Sequence, residues 1–338
     1  MRLTTVVVLV AALLPAAHAP SSAQKGGRDK STVTSQLELT LPPTPVTPEV
    51  YKAPPLSPEA RRDAEQKLSE ARARYEKNPK DADAVIWLGR RTAYLGRFDE
   101  AIGIYTEGIR RHPRDPRLYR HRGHRLITTR RFADAVKDLE RAASLVRGRA
   151  DEVEPDGLPN ARGVPVSTLK SNVFYHLGLA YYLSGDFERA RRALRECEKF
   201  SKNPDMTVAT SHWLYMTLRR LKRDEEARRV LEPIGSGMDV IENGDYHRLL
   251  LMYKGEREAD QLLKYASKDK TAVGYATIVY GVGNWHIYNG RPQKALHLFL
   301  DLMVRPQRTS FGYIAAEAEL ERMGVRGFPR ELPRRTIY

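Results

Sequence analysis

The chain has 338 residues, and its 57 Lys and Arg against 42 Asp and Glu leave a net charge of +15. Its single cysteine, Cys197, excludes an internal disulfide framework, so the fold rests on its core alone. The positive surplus suits an anionic partner (nucleic acid, lipid headgroups, an acidic polymer or an acidic protein), or it is spread over solvated faces.

The chain begins "MRLTTVVVLVAALLPAAHAPSSAQ". One early positive residue, Arg2, precedes an apolar run from Val6 to Leu14 and then small residues, the pattern of a secretory signal peptide. The run is too short to span a bilayer. Cleavage after Ala19 would place Pro20 at the scissile bond, so the expected signal peptide is 1–23, with a mature chain starting at Gln24. No cysteine stands there to carry a lipid. Export, to a periplasmic or secreted location, argues against nucleic acid as the partner. Residues 24–56 include "LPPTPVTPEVYKAPPLSP", whose proline density prevents helix and favours an extended tether. A docking peptide for a proline-recognising partner is the sharper alternative.

"SPEARRDAEQKLSEARARYEKNP" reads as one helix, with Ser57 as cap and Pro58 in its first turn. Three units of 34 residues then follow in register, at 82–115, 116–149 and 171–204. Gly89, Gly123 and Gly178 share position 8. Ala101, Ala135 and Ala190 share position 20, and Tyr105, Leu139 and Leu194 share position 24. The small residues mark places where two helices approach too closely for bulk. The large ones recur near the 3.6-residue period and fill the space that remains. Cys197 falls on a small-residue packing position, so a buried, inert thiol is expected. The C-terminal half repeats more loosely at 208–238, 240–273 and 276–308, with Tyr215 in place of the glycine in the first of these. A closing helix over 310–323, stopped by Gly324, and a basic tail over 325–338 complete the chain.

This pattern of Leu-Gly, an aromatic residue, and Ala twelve positions after the Gly resembles the tetratricopeptide repeat family. The resemblance implies an all-α fold, a right-handed superhelical solenoid of antiparallel helix pairs over 57–324. Each pair leaves an apolar face bare, so the units must stack.

No set of nucleophile, base and orienting group appears in the sequence, and the expectation is a binding protein rather than an enzyme. Ser167-x-x-Lys170 matches a penicillin-interacting string but lacks its partner strings. A helix N-terminus capped by Ser167 or Thr168 explains it. His121 and His124 share a helix face, yet Arg120, Arg122 and Arg125 around them oppose a metal cation. The acids of "EVEPDG" are spaced like a calcium loop, but Gly163 stands where the bidentate Glu is needed. "GVGNW" at 281–285 has no preceding strand, so no dinucleotide site follows. No metal and no cofactor are expected.

Members of the resembled family hold ligands on the concave wall, at positions 2, 5, 9, 12 and 13 of each first helix. Carried over, these give a candidate groove of Arg90, Tyr94, Arg117, Arg120, His124, Asn172, Tyr175 and Tyr182. Ile86 and Arg90 depart from the Lys and Asn of the subclass that clamps C-terminal carboxylates. Guanidinium forks grip carboxylates at two points, and tyrosines add rigid contact area. The expected partner is therefore an acidic or extended segment of another protein. The alternative is a cell-envelope polymer or anionic lipid, with peripheral envelope association. The groove is otherwise filled by the chain's own tail or insert. The sequence sets no oligomeric state.

The register breaks at 150–170, where "DEVEPDGLPNARGVPVST" intervenes. It reads either as a passive loop or as a lid. As a lid, its carboxylates would neutralise Arg117 or Arg120, and Leu158, Val164 and Val166 would serve as apolar anchors.

Overall fold

The computed structural model describes residues 51–268, 272–325 and 327. The signal peptide over 1–23, the tether as far as residue 50 and nearly all of the 325–338 tail lie outside these residues. The chain divides into Met1–Glu38 and Leu39–Tyr338, and the fold described is that of the second unit.

Among the described residues there are fourteen α-helices and no strand, with one isolated antiparallel bridge between Val153 and Thr168. After α1 (Pro58–Lys77) the helices fall in pairs. These are α2 (Ala82–Tyr94) with α3 (Phe98–Arg111), α4 (Pro116–Thr128) with α5 (Phe132–Val146), and α6 (Leu169–Leu183) with α7 (Phe187–Glu198). Then come α8 (Pro204–Arg220) with α9 (Asp224–Leu231), α10 (Gly244–Tyr253) with α11 (Ala259–Ala266), and α12 (Ala272–Tyr288) with α13 (Pro292–Met303). A lone α14 (Phe311–Arg322) ends the series. The unit is an all-α solenoid of antiparallel helix pairs, each packed on the next. No described helix is long and apolar enough to cross a membrane.

The local causes are visible in the residues. Side chains of Ser57, Asp81, Asp115, Thr168, Asn203 and Ser310 accept hydrogen bonds from the first-turn amides of their helices. A Cβ at Gly123 would lie 2.7 Å from Leu139, and one at Gly178 would lie 2.6 Å from Leu194. Position 8 thus faces position 24 across each clear pair, and only glycine lets the helices close. Where Tyr215 replaces that glycine, the second helix, α9, is only 8 residues long. The Tyr215 ring instead stacks on Tyr253, 4.6 Å between centroids. Cys197 is fully buried and donates to the Ser171 carbonyl at 3.3 Å.

The apolar core runs from Ile102 to Leu320 in one cluster, with separate smaller clusters under α2–α4 and between α5 and α6. Helix α14 belongs to the large cluster. It packs on α12, α13 and α6, and Gly312 allows its backbone to approach Ala276, where a Cβ would meet the carbonyl carbon at 2.6 Å. Two arginines from earlier elements and one of its own fix it. Arg130 pairs with Glu317 at 2.7 Å and Arg220 with Glu319 at 2.7 Å. Arg322 reaches the Leu183 carbonyl at 2.9 Å.

Candidate functional site

Helices α2 and α4 are the first helices of neighbouring pairs and touch. Residues four apart share a face, so Arg90 and Tyr94 on α2, and the pairs Arg120–His124 and His121–Arg125 on α4, converge. With Ala93, Tyr105 and Glu154 they line a cavity of about 120 Å³, room for a few waters or the end of one acidic side chain.

The 150–170 segment borders the cavity through Glu154. The Val153–Thr168 bridge holds it, with Glu154 N–H donating to the Ser167 carbonyl at 3.1 Å and Leu169 N–H to the Glu152 carbonyl at 2.8 Å. This places the Glu154 carboxylate 3.0 Å from the Arg120 guanidinium, with both side chains nearly buried. Arg91 donates to the Gly157 carbonyl at 2.9 Å. Gly157 lets the Tyr94 ring lie close against the segment, since a Cβ there would lie 2.7 Å from Tyr94 Cζ and push the ring aside. Farther along, Arg162 pairs with Asp239 at 2.7 Å, and Asn160 donates to Glu242 at 2.7 Å. Both partners belong to the α9–α10 connection. The segment is therefore ordered from end to end. Of its expected apolar anchors, only Val166 is buried. Leu158 is 68% exposed and Val164 49%, because the segment is tied down by ion pairs and backbone bonds instead.

Positive charge dominates the cavity. Burial lowers the affinity of Arg120 and Arg125 for their protons, and that of Arg125 falls to about 10. Burial and the neighbouring guanidinium groups hold His121 and His124 well below the usual histidine range, so both are neutral at pH 7. Arg120 also meets His121 Nδ1 at 3.0 Å. Arg90 lies over the Trp87 ring at 4.5 Å, and Arg125 over Phe98 at 5.7 Å. Two buried atoms, Arg120 Nε and Glu154 Oε2, have no hydrogen-bond partner within the described protein. Three guanidinium groups thus line a cavity that holds one carboxylate, that of Glu154.

The structure brings together four of the expected groove residues: Arg90, Tyr94, Arg120 and His124. Arg117 sits on the outer rim, engaged by Asp115 at 2.6 Å and Asp83 at 2.5 Å. The third unit's residues lie elsewhere. Asn172 donates to Ser167 at 2.9 Å, and Tyr175 accepts from Trp213 Nε1 at 2.8 Å. Tyr182 is fully buried and shares a 2.7 Å hydrogen bond with Tyr280. The reason is α14, whose Phe311 packs against His124, His176 and Tyr175 and covers this part of the inner wall. The position numbering of the resembled family omits Arg125 and Tyr105. The four-residue spacing from His121 to Arg125 is the signal that finds the first of these. Among the described residues no group of three or more His, Cys, Asp and Glu is placed to hold a metal ion.

The tetratricopeptide repeat family model matches residues 60–116 and 88–151. No curated protein matches the chain. Several solved structures are similar to it. One is described as "YrrB: a TPR protein with an unusual peptide-binding site", at 14% identity and TM-score 0.40, covering 75% of this chain and 95% of that one. Another is pilF of Pseudomonas aeruginosa, at 17% identity and TM-score 0.42, covering 77% of this chain and 91% of that one. A third is Naa15/Naa10 bound to HypK-THB, at 14% identity and TM-score 0.34, covering 75% of this chain and 36% of that one. The helices that carry the arginine-lined cavity, α2 to α4, lie within the stretch that matches the tetratricopeptide repeat model.

Proposed function

We propose that this chain is an exported interaction scaffold that binds an acidic or extended segment of another protein against the face shared by α2 and α4. The observation that supports it most is the cavity of Arg90, Arg120 and Arg125 facing the single carboxylate of Glu154. Guanidinium groups recognise carboxylates in two-point geometry, and their hydrogen bonds strengthen where water is excluded. The repeat architecture over residues 60–151 is of a kind that serves protein interaction, and the N-terminal sequence supports export with a mature start at Gln24.

The test presents the full chain with an array of acidic extended peptides, with anionic lipid vesicles and with an acidic polysaccharide. Saturable binding of a sequence-defined subset of peptides, competed by those peptides and not by the polymer, is expected. Equal binding to every anionic surface would replace the peptide reading with that of an envelope polymer or lipid binder.

A further inference from the structure

We propose that Glu154 is a built-in occupant of a carboxylate site, and that a partner's carboxylate takes its place beside Arg120 while drawing on Arg90 and Arg125. This deepens the scaffold reading and rests on it. Among the described residues Arg120 is the one arginine of the cavity with a carboxylate at ion-pair distance, and the neutral His121 lies 3.8 Å from the same oxygen. Among the described residues neither Arg90 nor Arg125 has a carboxylate at ion-pair distance, though the charge of Arg90 reaches half-buried Asp156. One carboxylate therefore serves three guanidinium groups, and each member of the existing pair leaves a buried atom unbonded. A buried polar atom without a partner carries a desolvation penalty, so a ligand that satisfies more of these atoms is favoured over Glu154.

The strap that carries Glu154 is suited to exchange. It has a single β-bridge rather than a ladder, and Val153 and Leu158, beside the two points where it crosses the cavity, are 62% and 68% exposed. Those two side chains give an entering segment apolar contacts next to its acid. The ligand is thus a carboxylate, from an internal glutamate or aspartate or from a chain terminus, flanked by apolar residues.

Calorimetric titration of the full chain separates these cases with three probes. One is a doubly capped Val-Ser-Glu-Val-Ser peptide, the second its glutamine counterpart, and the third the glutamine peptide with a free C-terminal carboxylate. Glu154→Gln is expected to tighten binding of at least one carboxylate probe about tenfold. Arg125→Gln is expected to abolish that gain, and the capped glutamine peptide should not bind to either variant. Preference between the first and third probes identifies the source of the carboxylate. If Glu154→Gln fails to fold, as read by its helical circular dichroism, Glu154→Asp withdraws the carboxylate by one methylene and should tighten binding in the same direction. Unchanged or weaker binding in the folded variant overturns the displacement proposal, as does a gain that survives Arg125→Gln. The scaffold reading falls separately, only if the peptide array also shows no selective binding.

Discussion

Arg130 Nε donates to Glu317 Oε2 at 2.7 Å, joining the turn after α4 to the middle of α14 across 187 positions of sequence. Arg130 adopts φ +61 at the repeat position where Gly96 and Gly185 stand, a left-handed backbone that costs a non-glycine residue about 1–2 kcal/mol. The same guanidinium donates to the Thr128 and Arg308 carbonyls at 2.6 and 2.7 Å. The strained turn is retained because its side chain fastens the closing helix to the solenoid.

Replacing Arg130 by Gly relieves the backbone but leaves Glu317 without its buried guanidinium. Breaking such a pair costs about 3–5 kcal/mol, against about 1–2 kcal/mol of relieved strain. A net loss of about 1–4 kcal/mol is expected, read as a lower urea midpoint. A stabilised Arg130→Gly variant would show that glycine's backbone freedom outweighs the tie to α14.

Cys197 should be silent to thiol reagents in the native protein. Burial pushes its thiol up to about 11, so the thiolate fraction at pH 8 is about one in a thousand, and the sulfur is covered. Labelling with a thiol-reactive chromophore is expected only after urea is added. Full labelling of the folded chain within minutes would place the thiol at the surface instead.

Stability should fall in mild acid. Burial, with neighbouring guanidinium groups, holds His121, His124 and His176 well below their usual range, and burial alone takes His212 down to about 3. In the unfolded chain each takes up a proton near pH 6.5, so below that value the unfolded state binds more protons. The stability is fully present above about pH 6.5. It is lost on going down, by as much as about 1.4 kcal/mol per pH unit for each histidine. Urea midpoints at pH 7.5, 6.5 and 5.5 should drop with increasing steepness, and His124→Gln should make the drop shallower. Equal midpoints at all three values would mean that these imidazoles reach solvent in the native state.

The paired helices were readable because close packing leaves a mark in sequence. Gly123 against Leu139 and Gly178 against Leu194 are local consequences of one 34-residue unit, and they recur. The cavity was readable only in part. Arg90, Tyr94, Arg120 and His124 follow from the groove positions that the resemblance to the tetratricopeptide repeat family implies for two adjacent units. What covers Tyr175 and Tyr182 does not, since it depends on where α14 docks more than a hundred residues later. The acids of the 150–170 segment raised the idea of neutralising Arg117 or Arg120. The selection of Arg120 comes from the Val153–Thr168 bridge, which has no periodic signature. Arg117 meets the acids of its own repeat boundary instead, Asp115 and Asp83.

The cavity's role is tested most directly by a double-mutant cycle between Arg125→Gln in the full chain and Glu→Gln in an acidic peptide selected from the array. If the guanidinium meets the peptide's carboxylate in a site shielded from water, the two changes are coupled by about 1.5–3 kcal/mol, with each single change losing most of the affinity. Losses that add to within about 0.5 kcal/mol would place the peptide's acid elsewhere on the protein and contradict the account.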